Sequence, residues 1–232
     1  MVEITWLGHG SFQLEGDGGE TVLIDPWFDN PKFPKGFAVK RLDAILITHG
    51  HFDHIASVRK LAAEFEPTVV GIYEVASWLE SKGVKNTVGM NKGGTVQVSG
   101  FSATMTHALH SSSIMDDDGS TVYGGEAAGF VIGAADGRKA YFAGDTTVFG
   151  DMKLIADLYE PELAFLPIGD LYTMSPKEAA LACRMLGVKK VIPMHWGTFP
   201  PLTGRPEQLA ELIGDLPDTT VWPLEPGVAV SW

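Results

Sequence analysis

Between residues 48 and 54 the chain reads Thr48-His49-Gly50-His51-Phe52-Asp53-His54, so three imidazoles and a carboxylate fall within six positions directly after the apolar run Ala44-Ile45-Leu46-Ile47. Neutral imidazole and carboxylate are ligands for Zn²⁺, Mn²⁺ or iron, and the lack of thiolates in the segment argues against a structural zinc site of the cysteine type. In a straight strand adjacent side chains diverge. His49 and His51 can therefore meet one metal while Asp53 and His54 meet a second only where the chain bends sharply after Phe52. The residues that follow predict such a bend, because Ile55, Val58, Ala62 and Phe65 recur at helical spacing. The plain alternative is a set of surface histidines near a helix start.

Two metals need more ligands than this motif holds, and other apolar runs also end in His or Asp. Phe101 to Leu109 runs into His110-Ser111-Ser112, Ala140 to Gly144 into Asp145-Thr146, and Val191 to Met194 into His195-Trp196. Ligands at successive strand ends converge on one edge of a sheet, where open α/β folds place their sites. His107 and His110 lie three residues apart and either can turn inward depending on strand register; His110 is favoured because it ends the apolar run. His9 stands in a Gly-His-Gly turn and reads equally as a loop histidine. Asp25, after Thr21-Val22-Leu23-Ile24, reads as a buried acceptor that orients a histidine ring or the motif backbone.

These residues carry a resemblance. Trp6-Leu7-Gly8-His9-Gly10, Leu23-Ile24-Asp25-Pro26, the histidine motif, Ala143-Gly144-Asp145-Thr146, Phe165-Leu166-Pro167-Ile168-Gly169-Asp170 and Pro193-Met194-His195 together resemble the metallo-β-lactamase-fold hydrolases over nearly the whole chain. Within that superfamily the chain is most similar to small bacterial and archaeal metal-dependent hydrolases related to the ascorbate-6-phosphate lactonase branch. The resemblance implies that His49, His51 and His110 bind one metal, that Asp53, His54 and His195 bind the other, and that Asp145 bridges them. Asp53 and Asp145 are the carboxylates it assigns to catalysis. The implied cofactors are two divalent cations, Zn or Mn, and the implied chemistry is attack by a bridging hydroxide on an ester, lactone or phosphodiester of a small substrate. Since neutral imidazole does the binding, metal affinity should fall as the pH drops below the ordinary histidine pKa of about 6.5.

With 232 residues, 45% of them hydrophobic, the chain can bury one large core, so a single hydrolase domain over residues 1–232 is expected. No charged segment followed by an apolar stretch opens the sequence, and no run approaches the ~18 apolar residues of a membrane span, so a cytoplasmic protein without membrane contact is expected. A net charge of −12 disfavours non-specific binding to nucleic acid. A homo-oligomer is possible, but no heptad or repeat supports one. The single cysteine, Cys183, shares a helical stripe with Ala179, Ala182 and Leu186 and reads as core.

Alternating elements predict an αββα four-layer α/β sandwich of two sheet-and-helix halves. Strands are expected near residues 2–6, 11–14, 21–24, 44–47, 68–72 and 95–109, and a second half is expected to begin near Ala128 and to run to a last strand at 228–230. Helices are expected near 151–159, 176–186 and 206–216, and another is marked by Val75, Trp78 and Leu79. Ser175-Pro176-Lys177-Glu178 has capping-box spacing, which holds one side of the loop 169–174 and makes it a candidate substrate wall. Asp116-Asp117-Asp118 reads as a solvated turn, and Phe199-Pro200-Pro201 as a stiff loop beside the last ligand. Two other functions fit the same residues less well. One is iron-dependent redox chemistry, against which His51 stands intact where related diiron reductases carry glutamate. The other is a non-catalytic metal-binding protein.

Overall fold

A computed structural model describes residues 1–232. In chain order the strands are β1 (Glu3–Trp6), β2 (Phe12–Glu15), β3 (Thr21–Ile24), β4 (Ala44–Leu46), β5 (Thr68–Ile72), β6 (Thr87–Met90), β7 (Thr95–Val98), β8 (Phe101–His107), β9 (Ser113–Met115), β10 (Thr121–Tyr123), β11 (Ala128–Gly133), β12 (Lys139–Phe142), β13 (Leu163–Pro167), β14 (Lys190–Met194), β15 (Thr220–Val221) and β16 (Ala229–Ser231). The helices are the single turn α1 (Phe52–Ile55), then α2 (Val58–Phe65), α3 (Tyr73–Ser81), α4 (Met152–Tyr159), α5 (Pro176–Leu186) and α6 (Pro206–Leu212). No helix is long and apolar enough to cross a membrane.

The strands form two seven-stranded sheets, ordered β16-β1-β2-β3-β4-β5-β6 and β15-β14-β13-β12-β11-β8-β7, with β9 and β10 pairing as a separate ribbon. Read from the β16 edge, the first sheet has three antiparallel pairings followed by three parallel ones, and the second, read from the β7 edge, repeats that sequence of directions. The central strands are apolar on both faces, as strands covered on both sides must be. Successive side chains alternate between layers. On β12, Ala140 and Phe142 enter the core between the sheets while Tyr141 enters the core under the outer helices; on β13, Leu163 and Phe165 face inward and Ala164 and Leu166 outward. The first core also takes Val58 and Leu61 of α2 and Val75 and Leu79 of α3, and the second takes residues of α4, α5 and α6. Helices, sheet, sheet and helices are thus the four layers expected from the sequence. Where the sheets meet, Phe12 packs edge-on against Phe142 and Phe165 at 5.8 and 4.9 Å.

Two expectations about the elements need correction. The last strand does not belong to the second half: β16 pairs with β1, Glu3 opposite Ser231. The second sheet begins before Ala128, because β7 and β8 pair with each other and β8 with β11. The Asp116–Asp118 segment is a turn, as expected, and forms the tip of the β9–β10 hairpin, in which Thr121 faces Met115.

Candidate metal centre

Pairing directions decide where the chemistry-bearing residues lie. In the first sheet β1, β3 and β4 run the same way, and in the second β8, β12 and β14 do. His9, Asp25 and His49 to His54 follow the C-terminal ends of the first three, and His110, Asp145 and His195 those of the second three. All therefore meet at one rim, between the sheets.

Seven residues predicted as ligands come together there. His49 Nε2 and His51 Nδ1 are 3.0 Å apart, and His110 Nε2 is 3.3 Å from the same His51 nitrogen. Asp53, His54 and His195 form a second group with His9. Between the groups stands Asp145, whose Oδ2 is 3.1 Å from His195 Nε2, 3.4 Å from His54 Nε2, 3.7 Å from His110 Nε2 and 3.9 Å from His49 Nε2. Metal–nitrogen bonds of about 2.0–2.1 Å in a tetrahedron put neighbouring ligand atoms roughly 3.3 Å apart, which is the spacing of the first group. His54 Nε2, His195 Nε2 and Asp145 Oδ1 are buried without hydrogen-bond partners. Buried polar atoms in folded proteins are as a rule paired, and a cation held by this cluster would supply the partner these three lack.

The outer shell sets which ring nitrogens point inward. His54 Nδ1 donates to Asp25 Oδ2 at 2.8 Å, leaving its Nε2 as the inward lone pair. Asp25 also accepts from the Thr48 backbone N–H at 2.8 Å and from the Thr48 hydroxyl at 2.6 Å, and that hydroxyl accepts from His49 Nδ1 at 3.0 Å. One carboxylate thus orients two histidines, as the sequence predicts for Asp25, through a threonine that sequence reasoning missed. Nothing in the spacing marked Thr48, but a hydroxyl next to a candidate ligand is a signal that can be searched for. His9 Nδ1 lies 2.9 Å from Thr198 Oγ1 and its Nε2 3.0 Å from Asp53 Oδ2. His9 therefore faces the site and holds Asp53 in place. His107 does not join it: its Nδ1 lies 3.2 Å from Lys92 Nζ and its ring is edge-on to Phe149. Strand β8 ends at His107, so His110 sits not at the strand terminus but in the linker beyond it.

Proton affinities in this cluster are set by burial against charge. Burial, then the neighbouring His54, holds His49 well below the usual histidine value, and burial lowers His51 and His110. His9 falls to about 4 through burial and His195. Burial also acts against charge on His54 and His195, but the carboxylates outweigh it: Asp145, Asp25 and Asp53 raise His54, while Asp145 and Asp53 raise His195 to about 9. Asp53 and Asp145 are held below the carboxylate range despite burial, Asp53 chiefly by His54 and Asp145 chiefly by His195.

The backbone is forced here as well. His9, Asp25 and His195 have φ of 54°, 46° and 54°, a left-handed conformation uncommon outside glycine that concentrates at functional sites. Gly144, before Asp145, has φ of 64°, and a Cβ there would lie 2.6 Å from the Ala128 carbonyl oxygen, so no other residue fits. Above the cluster a cavity of about 660 Å³ opens, bounded by the β9–β10 hairpin, Tyr172 and the Phe199-Pro200-Pro201 loop. The loop expected as a wall lines it through Tyr172, and the stiff loop beside His195 lines it as well.

Comparison with known proteins identifies the family of the chain. The family model described as a beta-lactamase superfamily domain matches residues 20–196. A UPF0173 metal-dependent hydrolase of Solibacter usitatus is 60% identical over 232 residues, all of both chains. Another, of Rubrobacter xylanophilus, is 54% identical over 88% of this chain and 86% of its own. Among solved structures, Igni18, a metallo hydrolase of the hyperthermophilic archaeon Ignicoccus hospitalis, superposes with a TM-score of 0.86 at 33% identity, covering 99% of this chain and 97% of that one.

Proposed function

The chain belongs to the metallo-β-lactamase superfamily and is a metal-dependent hydrolase, and from that premise we propose that it holds two divalent cations, Zn or Mn, and hydrolyses an ester, lactone or phosphodiester bond of a small substrate. His49, His51 and His110 would hold one cation, Asp53, His54 and His195 the other, and Asp145 both. The observation that carries this reading is the position of Asp145 Oδ2, within 3.9 Å of imidazole nitrogens from both groups. A cation pair of this kind supplies polarisation of a substrate oxygen and ionisation of water near neutral pH.

The chain's own residues divide the remaining work. Asp25 and Thr48 keep the His54 and His49 lone pairs pointed inward. His9, neutral at physiological pH, donates from Nε2 to Asp53 and prevents that carboxylate from swinging away. His51, His110, Asp145 and His195 reach the cavity wall, so substrate meets the centre from one side only. No Ser or Cys nucleophile is required; Cys183 is buried and its thiol is pushed up to about 12 by burial.

Elemental analysis of protein purified without chelator tests the reading, together with hydrolysis of bis(p-nitrophenyl) phosphate and a lactone panel. Two equivalents of metal and metal-dependent turnover are expected, with His51→Ala and Asp145→Ala losing metal and activity together and His107→Ala keeping both. Less than one equivalent with no rescue by added metal would sink the ligand set.

A further inference from the structure

The walls of the cavity differ in chemistry from its base. Phe52, Met115 and Tyr172 line it with 57%, 65% and 54% of their surface exposed, and Phe199, Pro200 and Pro201 complete the apolar side. Large apolar side chains gathered around one opening mark a place that something covers. They are held there by construction. Phe52 is edge-on to Trp27 at 5.5 Å and Trp27 stacks on Phe199 at 5.7 Å. Tyr172 is thrust outward by two consecutive left-handed residues, Asp170 and Leu171.

The lining contains no lysine or arginine. The cations that reach the hairpin wall are engaged at its tip, Lys82 with Asp116 and Arg59 with Asp117 at 2.8 Å, leaving none directed at the cavity. Sites that recognise phosphate or carboxylate groups supply such cations, usually arginine forks. Here the base carries Asp53 and Asp145 with Asp25 behind them; bound metal would offset these carboxylates, and nothing on the walls would add to it. The polar groups on the walls are the hydroxyls of Ser111, Ser113, Thr121 and Tyr172. A volume of about 660 Å³ suits a small molecule.

We infer that the cleft selects a neutral ester or lactone bearing an aryl or short alkyl group and discriminates against anionic substrates, phosphodiesters included. This rests on the hydrolase reading above and narrows its three bond classes. The reaction breaks the acyl C–O bond, water giving its hydroxyl to the acyl carbon and a proton to the leaving oxygen. Met115, Phe52, Tyr172 and Phe199 determine specificity by covering the apolar group.

The test uses the metal-loaded chain and two ligands that differ by one remote charge, acetanilide and p-acetamidobenzenesulfonate. Dissociation constants are read from amide chemical shifts, and kcat/KM is measured for phenyl acetate and bis(p-nitrophenyl) phosphate. Acetanilide is expected to bind roughly tenfold more tightly or better, because the sulfonate must be desolvated against an apolar wall. Its shifts should centre on Met115, Tyr172 and Phe199, and phenyl acetate should be the better substrate. Met115→Lys, at an exposed position, should shrink the binding preference by roughly fivefold by putting a cation on the wall. Equal or tighter binding of the sulfonate overturns the inference. So does preferential turnover of the phosphodiester, which leaves the hydrolase reading standing. If a metal-loaded chain turns over neither substrate, the ester and phosphodiester classes of the reading above fall, and the binding comparison alone decides the preference of the cleft.

Discussion

At the scale of single residues, the most consequential side chain outside the proposed ligands is Asp25, since one carboxylate fixes the rings of two histidines. Losing an outer-shell partner of this kind costs about 10–100-fold in metal affinity. Asp25→Asn is therefore expected to weaken metal binding by that factor, and Thr48→Val, which disconnects only His49, by less; competition with a chromogenic chelator reads both. The pH dependence also shifts from the sequence expectation. His195 is raised to about 9 by Asp145 and Asp53 against the opposing effect of burial, so in the metal-free chain it still holds its proton at neutral pH. A cation must displace that proton. Metal affinity is thus expected to keep rising between pH 6.5 and about 9, with net proton release at pH 7.5, measurable by calorimetry in buffers of different ionisation enthalpy. The chemical identity of the site residues was legible because histidine and aspartate clustered at the ends of apolar runs. The Thr48 relay was not, because a hydroxyl carries no such pattern, and neither were the Asp53 and Thr198 partners of His9, which depend on loops meeting across the rim.

At the scale of elements, local chemistry predicts well where it is strong. Helix α5 begins at Pro176 as the capping spacing predicts: Ser175 Oγ accepts from the Glu178 N–H, and the Glu178 carboxylate accepts from the Ser175 N–H at 3.0 Å. Glu178 also accepts from Thr147, two residues past Asp145, which ties the helix start to the site loop. Ser175→Ala is expected to cost about 1 kcal/mol in urea unfolding with metal content unchanged. Signals were weaker where the missed elements lie. Strand β6 is a half-exposed edge strand containing Gly89, and the β9–β10 ribbon, three residues on each side, joins neither large sheet. Helix α6 stops at Leu212, short of the predicted 216, with Gly214 and Pro217 following.

At the scale of the whole molecule, the site is a seam. His49, His51, Asp53 and His54 come from the first sheet's connections and His110, Asp145 and His195 from the second's. Cations bound there would tie the two halves together as well as serve catalysis. At free metal about 1,000-fold above Kd each site would add about 4 kcal/mol, and for a chain of this size each kcal/mol moves Tm by about 2–4 °C. Chelation is therefore expected to lower Tm by roughly 10 °C per site, checked by calorimetry with and without chelator; an unchanged Tm would contradict the seam. The repeated pattern of strand directions puts Asp25 and Asp145 at equivalent stations, each just after the fourth strand of its sheet, where antiparallel pairing gives way to parallel. Sequence reasoning found both carboxylates and the layered class, but not this correspondence or the strand that crosses back, since pairing partners far apart in the chain leave no local mark. That crossing strand has a consequence during synthesis. Residues 229–231 close the β1 edge, so on the ribosome a nascent chain must carry an open edge strand, ready to pair with a neighbouring chain, until those residues emerge.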